Sequence, residues 1–138
     1  MILNDINFLK SIKPPKKTNT YTPISHFEIL EKINQYVPNH WEKEGYHIKL
    51  TKKGNQLFGT ADFKISGYNN LITIGFRNSY DKSISVGVCS GAKVIVCSNL
   101  MFTGDIVKIR RHTANILKDI DQIIKNVISH AEYKAKIL

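Results

Sequence analysis

Polar side chains that could bind or react with a ligand are concentrated in Gly75–Ser83, with the sequence GFRNSYDKS. A turn between strands needs only a glycine, an asparagine or an aspartate, yet this segment carries seven polar residues and both signs of charge. Arg77 has a planar fork of N–H donors that matches a phosphate or a carboxylate. Asn78 and Asp81 favour caps and turns, and Tyr80 could stack on a nucleobase. The segment is therefore a candidate binding site.

Two other interpretations of this segment are open. In an enzyme, Ser79 would be a nucleophile, with Asp81 beside it and His112 arriving from a distant segment as the base. The chain has no GxSxG nucleophile elbow and no metal-ligand spacing, so we predict no catalytic residue, cofactor or metal. In a purely structural turn, Asp81 would pair with Arg77 while Ser79 and Asn78 satisfy the backbone.

A second basic segment is KIRRHTANI, at residues 108–116. This segment could instead be a solvated face of a helix without a ligand. The chain has three Arg residues against 17 Lys residues, and all three Arg residues lie in these two segments. Arginine is the residue suited to bidentate phosphate contacts. We therefore predict nucleic-acid contacts from nine residues: Arg77, Asn78, Tyr80, Lys82, Lys93, Lys108, Arg110, Arg111 and His112.

The charge balance agrees with a polyanionic partner. The 138 residues include 20 Lys and Arg against 11 Asp and Glu, which gives a net charge of +9 at pH 7. Such a balance favours nucleic acid, or an acidic membrane or protein surface. A Lys-rich composition from an AT-rich coding background would produce the same excess, so charge alone leaves the partner open.

The two cysteines, Cys89 and Cys97, form no disulfide framework and lie in apolar sequence, where buried free thiols are expected. The first residues lack the unbroken apolar run of a signal peptide, and no segment approaches the ~18 apolar residues of a membrane span. The sequence thus predicts a protein of the host-cell cytoplasm, without a membrane partner.

The elements that must position these segments follow from periodicity. Residues 1–22 are predicted to be a basic, partly extended arm, and residues 23–138 a single domain. In the sequence SHFE, Ser25 and Glu28 form a capping box for a helix that Pro38 ends. Alternating residues then predict five antiparallel strands: YHIKLTK, QLFGTADFKIS, LITIGFR, SISVGVC and KVIVCS.

Apolar residues at spacings of three and four predict one long helix from about Asp105 to Lys134. The order of elements predicts an α+β fold in two layers. It has an N-terminal helix, an antiparallel meander of four to five strands, and a long C-terminal helix packed on the sheet.

The segment Leu71–Ile116 resembles a phage- and plasmid-borne family that includes the prophage proteins YfjQ and YafZ. That family typically shows G-L-R-N-S-H-D-K-S, an apolar hairpin ending in V-C-S-N-L or V-C-D-N-L, then F-S-G-D and R-K/R-H-T. Tyr80 stands where the family often has His, so the resemblance carries no proton-transfer role to this position. The family is largely of unknown function, and the resemblance therefore implies a mobile-element origin rather than a reaction. The matching residues are Gly75, Arg77, Asn78, Ser79, Asp81, Lys82, Ser83, Val96, Cys97, Asn99, Leu100, Phe102, Gly104, Arg111, His112 and Thr113.

The order of elements is also similar to the core of phage single-strand annealing proteins of the Red-beta, Erf and Sak kind. Those proteins form rings and hold DNA along a basic groove. With the charge, this favours a homo-oligomeric protein that binds or anneals single-stranded DNA, with Arg77 and Arg111 on one surface. The alternative is a small protein-interaction module, such as a phage inhibitor of a host defence enzyme.

Overall fold

The computed structural model describes residues 2–3, 6–65, 71–91, 95–96 and 102–137. Short 3-10 turns lie at Asn7–Ser11 and Lys52–Gly54. The helices and strands of this part of the chain are β1 Ile2–Leu3, α1 His26–Tyr36, β2 Trp41–Thr51, β3 Gln56–Ile65, β4 Leu71–Ser79, β5 Val86–Gly91, β6 Ile95–Val96, β7 Phe102–Thr103, β8 Ile106–Arg110 and α2 Ile116–Ile137.

Six strands form one antiparallel sheet in the order β1-β2-β3-β4-β5-β8, and β6 pairs with β7 separately. Strands β2 to β5 follow one another as a meander because short connections join neighbouring antiparallel strands. Helix α2 packs on β5, β8 and β4, and it also contacts α1. The predicted α+β class is confirmed: an N-terminal helix, an antiparallel meander and a long C-terminal helix on the sheet.

Alternation along the strands gives the sheet two different faces. Ile74 and Phe76 of β4 point towards the helices and are fully buried in the main core. Gly59 of β3 lies beneath Phe76, whose ring stands 2.9 Å from the place that a Cβ atom would take. Phe58 and Cys89 point to the other face and are also buried.

Helix α1 begins where its sequence predicts, and a salt bridge joins it to α2. The Ser25 hydroxyl accepts a hydrogen bond from the backbone N–H of Glu28 at 3.0 Å, which caps α1. Lys32 of α1 and Asp121 of α2 form a salt bridge at 2.7 Å. Among the helices of the described residues, none combines the length and apolar content that crossing a bilayer requires. The buried stripe of α2 consists of Ile116, Ile120, Ile123, Ile124, Val127, Ile128 and Ala131.

The predicted start of the long helix at Asp105 is wrong. Residues Ile106–Arg110 form β8, which pairs with β5 so that Lys108 lies opposite Val88, and the helix begins at Ile116. The spacing of apolar residues in this short stretch fits a helix. A strand wins because β5 offers an open edge whose backbone groups need hydrogen-bond partners.

The predicted position of the fifth strand, KVIVCS, next to the fourth strand of the meander is also wrong. Its described residues, 95–96, belong to the separate β6–β7 pair, and β8 takes the position beside β5. Lys93 and Cys97 lie outside the described residues.

The N-terminal segment contributes to the same core as the rest of the chain. Leu9 is fully buried within the first 3-10 turn, and Ile6 is 9% exposed. Tyr21 and Thr22 are buried next to α1. Residues 13–20 lie exposed between these two anchored points.

Candidate functional site

A cleft of about 360 Å³ opens at one end of the sheet. It lies where β4 ends, β5 begins and β8 ends, and the segment that precedes α1 closes its remaining side. Three stretches of chain that are far apart in sequence therefore meet here. The lining residues are Thr20, Tyr21, Lys82, Ile84, Ser85, Arg111, His112 and Thr113.

Two exposed cations, Lys82 and Arg111, stand at this cleft, and none of the described residues that line it is acidic. The Lys82 ammonium lies 5.1 Å from the centre of the Tyr21 ring, which is a cation–π contact. The backbone of Lys82 is left-handed, with φ of 63°, a conformation that costs a residue with a Cβ about 1–2 kcal/mol. The loop is therefore held in a turn that its sequence does not favour locally.

Hydrogen bonds inside the loop maintain this turn. The Ser79 hydroxyl donates to the Ile84 carbonyl at 2.7 Å and accepts from the Ile84 N–H at 3.2 Å. The Asp81 carboxylate accepts from the N–H of Ser83 at 3.0 Å and from its hydroxyl. Desolvation raises the pKa of Asp81, but the bonds from Ser83 outweigh it and leave that pKa below its ordinary value. Asp81 is thus a charged residue that stabilises its own loop.

Arg77 lies behind the cleft rather than in it. The side chain is half-buried, and its Nε atom donates to the Ser85 carbonyl at 3.2 Å. Burial lowers the pKa of Arg77 below its ordinary value. Ser85 lines the cleft together with Arg111. The two arginines therefore lie at the same end of the sheet, one half-buried and bonded to Ser85 and the other exposed at the cleft.

A buried network lies beneath the cleft and is centred on Asn78, which is fully buried. The Asn78 amide nitrogen donates to the Ile24 carbonyl at 2.8 Å and lies 3.1 Å from Nδ1 of His26. Its amide oxygen lies 2.7 Å from Nε2 of His112. The backbone carbonyl of His112 in turn accepts from the N–H of Thr22 at 3.0 Å. One side chain thus joins β4, the start of α1 and the segment after β8.

His26 and Tyr80 complete the buried network. Their rings stack with centres 3.8 Å apart and planes 9° apart. The Tyr80 hydroxyl accepts from the His26 backbone N–H at 2.7 Å and lies 3.3 Å from the Ile12 carbonyl. Nε2 of His26 lies 2.8 Å from the Gly54 carbonyl. Burial lowers the pKa of His26 to about 4, although the bond to Gly54 opposes the shift.

These partners fix the tautomers of both histidines. A carbonyl only accepts, so the Ile24 carbonyl fixes the NH₂ group of Asn78 towards itself and towards His26. The Asn78 oxygen must then receive the proton of His112 Nε2. Burial lowers the pKa of His112, so its ring is neutral at pH 7 and its Nδ1 atom carries a lone pair. No described residue hydrogen-bonds to this Nδ1 atom, and His112 lines the cleft.

The structure brings Lys82, Arg111 and His112 of the predicted contact residues together at the cleft. Asn78 and Tyr80 are 0% and 7% exposed, and both belong to the buried network. Tyr80 already stacks on His26, so its ring is not presented to a nucleobase. Asn78 and Tyr80 therefore do not belong to the contact surface, and they stabilise the cleft from beneath.

The remaining predicted residues lie elsewhere. Lys108 and Arg110 sit on the edge strand β8, opposite Val88 and Val86, and so share the face on which α2 packs. Lys93 lies outside the described residues. The hypothesised pairing of Ser79 with His112 is not formed, because the Ser79 hydroxyl bonds to Ile84 and His112 to Asn78.

Sequence reasoning missed Thr20, Tyr21, Ser85 and His26. Thr20 and Tyr21 stood in the predicted arm, and no pattern marks them as partners of residues about 60 to 90 positions later. His26 follows the cap residue of α1, and nothing in the sequence distinguishes it from any other residue in the first turn of a helix. For Thr113 the sequence did carry a signal, because this residue ends the RRHT stretch that the family resemblance includes.

No group of three or more His, Cys, Asp and Glu side chains in the described ranges is arranged to hold a metal ion. Comparison with protein-family models, curated proteins and solved structures finds no match to this chain. The resemblance to the phage- and plasmid-borne family therefore depends on the residues quoted from Leu71–Ile116.

Proposed function

We propose that this protein binds single-stranded nucleic acid and holds a backbone phosphate in the cleft between Lys82 and Arg111. One observation carries the proposal. Two exposed cations converge at a recess that also has the hydroxyl residues Thr20, Ser85 and Thr113, while its described lining contains no carboxylate. A mobile-element origin, as the family resemblance implies, agrees with such a function.

The lining chemistry matches a phosphate group. Arg111 can donate two parallel hydrogen bonds to phosphate oxygens, and Lys82 adds a point charge. Hydroxyl groups donate to the remaining oxygens. The cleft volume of about 360 Å³ falls within the range of sites that enclose a small ligand. The recess therefore has room for the phosphate and sugar of about one nucleotide.

The exposed segment 13–20 extends the positive surface away from the cleft. It carries Lys13, Lys16 and Lys17, and it reaches the cleft at Thr20. Eight residues span at most about 25 Å when extended. A strand held at the cleft can thus continue along a basic segment, which suits a polymer better than an isolated anion. The net charge of +9 acts in the same direction.

The recessed position of His112, which lines the same cleft as the two cations, favours a single strand. A flexible strand can turn one phosphate into a narrow recess. Duplex DNA, with a persistence length of about 150 bp, would have to be deformed to do so, at a cost in free energy. Single-stranded DNA, the partner that the sequence favours, and single-stranded RNA both satisfy this requirement.

The test is fluorescence anisotropy with labelled single strands and duplexes at low and high salt. We expect Arg111→Gln to weaken binding of single strands about tenfold, because a charge-assisted phosphate contact contributes about 1–3 kcal/mol. Each lost phosphate contact should also reduce the slope of log affinity against log salt by about 0.7.

Lys64→Gln is the matched control, because it removes one exposed charge at the opposite end of β3. Lys64 lies eight residues from Gln56, which pairs with Ser79 near the cleft, a distance of about 27 Å along the strand. We expect its affinity to stay within about twofold of the native value. Equal losses in the two variants, or no binding of any strand at low salt, would contradict the proposal.

An annealing protein must hold more than one strand, and the sequence predicts a homo-oligomer. Size-exclusion chromatography with light scattering, with and without a bound strand, measures the assembly. A monomer under both conditions would restrict the proposal to simple strand binding.

A further inference from the structure

We infer that the cleft selects ribose over deoxyribose, because Nδ1 of His112 accepts a hydrogen bond from a 2′-hydroxyl group beside the bound phosphate. The inference rests on the proposed function, since Lys82 and Arg111 must first bring a phosphate into the cleft. It goes further by naming RNA as the preferred single strand, in place of the DNA that the sequence favours.

The first step is the fixed direction of the His112 ring. Asn78 is fully buried and its NH₂ group is committed to the Ile24 carbonyl at 2.8 Å and to His26 at 3.1 Å. Its oxygen is therefore an acceptor for Nε2 of His112 at 2.7 Å. Turning the ring over would put the Cε1–H group in the place of Nε2 and lose this hydrogen bond, and the structure thus holds Nε2 inwards.

The second step is that the outward atom of this ring is an acceptor. His112 is 6% exposed and lines the cleft, and Nδ1 has no hydrogen bond from any described residue. The ring is neutral at pH 7 because burial lowers its pKa. A neutral Nδ1 in a cleft that two cations also line is unusual for a site that binds anions alone, since phosphate oxygens only accept hydrogen bonds.

The third step concerns what each type of strand does to this atom. A DNA strand in the cleft would displace water from Nδ1 and provide no donor, which leaves a buried acceptor unsatisfied at a cost in binding free energy. An RNA strand provides a 2′-hydroxyl next to the 3′-phosphate of the same nucleotide. That hydroxyl can donate to Nδ1 while the phosphate meets Lys82 and Arg111. The hydroxyl is the group by which proteins distinguish RNA from DNA.

The experiment compares three labelled strands of one base sequence on the native protein: RNA, 2′-fluoro RNA and DNA. The 2′-fluoro strand keeps a ribose-like sugar but has no hydroxyl proton to donate. We expect RNA to bind about threefold to tenfold more tightly than 2′-fluoro RNA and DNA, which is the usual range for one net hydrogen bond.

His112→Gln is the diagnostic variant. A glutamine amide nitrogen can replace Nε2 as donor to Asn78, and its amide oxygen, the remaining acceptor, takes a different place from Nδ1. We expect the ratio of RNA to 2′-fluoro RNA affinity to fall to about one in this variant, whatever its overall affinity for either strand. His47→Gln, at an exposed histidine of β2, is the matched control and should keep the native ratio.

The outcomes separate this inference from the proposed function. Equal binding of all three strands to the native protein overturns the selection of ribose and leaves phosphate binding in place. A native ratio in folded His112→Gln also overturns it. Failure of every strand to bind overturns both. If His112→Gln does not fold, the three-strand comparison on the native protein decides the question.

Discussion

Neighbouring residues of the same short segments perform opposite tasks in this protein. In Gly75–Ser83, Asn78 and Tyr80 are buried in the network beneath the cleft, whereas Lys82, two positions later, is exposed at its rim. In the second segment, Arg111 is exposed and His112 is 6% exposed. Where a strand ends and the chain turns, consecutive side chains change from interior to solvent. A polar cluster in sequence therefore need not be one site.

The two environments differ in what a polar group contributes. In the buried network each donor or acceptor that loses its partner costs about 1–3 kcal/mol of folding free energy. At the rim of the cleft a charged side chain contributes little to stability, and the median for an exposed ion pair is about 0–1 kcal/mol. We therefore expect network variants to change the free energy of unfolding and rim variants to change affinity.

The largest effect should come from Asn78→Ala. It removes the partners of the Ile24 carbonyl, of His26 Nδ1 and of His112 Nε2 at one fully buried position. We expect the free energy of unfolding to fall by about 3–5 kcal/mol in urea denaturation. Asn126→Ala, on the exposed side of α2, is the control and should change it by less than about 0.5 kcal/mol. Similar losses in both variants would show that the buried network has no special role in the stability of the fold.

Acidic pH should weaken the same network through His26. Its pKa is about 4 in the folded protein, against an ordinary value of 6.5, because burial disfavours the charged ring and the neighbouring His112 adds to this. Between these two pKa values the unfolded chain binds more protons than the folded chain, so stability falls as the pH falls. The full loss, reached below the folded pKa, is about 3 kcal/mol at roughly 1.4 kcal/mol per pKa unit.

Urea denaturation across this pH range measures that loss. Carboxylates titrate near its lower end, and the comparison is therefore with His26→Gln, whose stability should depend less on pH between 6.5 and about 5. Parallel pH profiles of the native protein and this variant would show that His26 is not the responsible group.

Tyr80→Phe should have an intermediate effect. The ring can still stack on His26, but the buried backbone N–H of His26 loses its acceptor at 2.7 Å. We expect a loss of about 1–2 kcal/mol in the free energy of unfolding. Nucleic-acid affinity, measured under conditions in which the variant is fully folded, should change by less than about twofold, because Tyr80 supports the cleft without lining it. A tenfold loss of affinity would show that Tyr80 contacts the nucleic acid directly.

The smallest change in stability, and one of opposite sign, should come from Lys82→Gly at the rim. Glycine adopts the left-handed backbone of this position, with φ of 63°, without strain from a Cβ atom. After the greater entropy of the unfolded glycine is allowed for, we expect the free energy of unfolding to rise by about 0.5–1 kcal/mol. Affinity for single strands should fall because a phosphate contact is lost.

Lys53→Gly is the matched comparison for that variant, since Lys53 has φ of 58° in the turn between β2 and β3 and does not line the cleft. Its stability should rise to a similar degree, with a smaller loss of affinity. A lower stability in Lys82→Gly, or an equal loss of affinity in both variants, would mean that position 82 has no special role at the cleft.

Local patterns in the sequence determined the α+β class, the cap at Ser25, strands β2 to β5 and the buried stripe of α2. These features depend on contacts between near neighbours and on burial of one face, which periodicity records directly. The sequence also placed Lys82, Arg111 and His112 among the residues that could bind a phosphate, because their chemistry is visible in their type.

Only the tertiary structure decided which of those residues share a site. Strand β8 exists because β5 offers it an edge, and this pairing places Arg111 at the cleft instead of on a helix. The tautomer of His112 depends on Asn78, 34 positions earlier, and the orientation of Asn78 depends on the Ile24 carbonyl, 54 positions before that. Such long-range hydrogen bonds leave no periodic signal, because they are set by where the folded backbone passes and not by residue spacing.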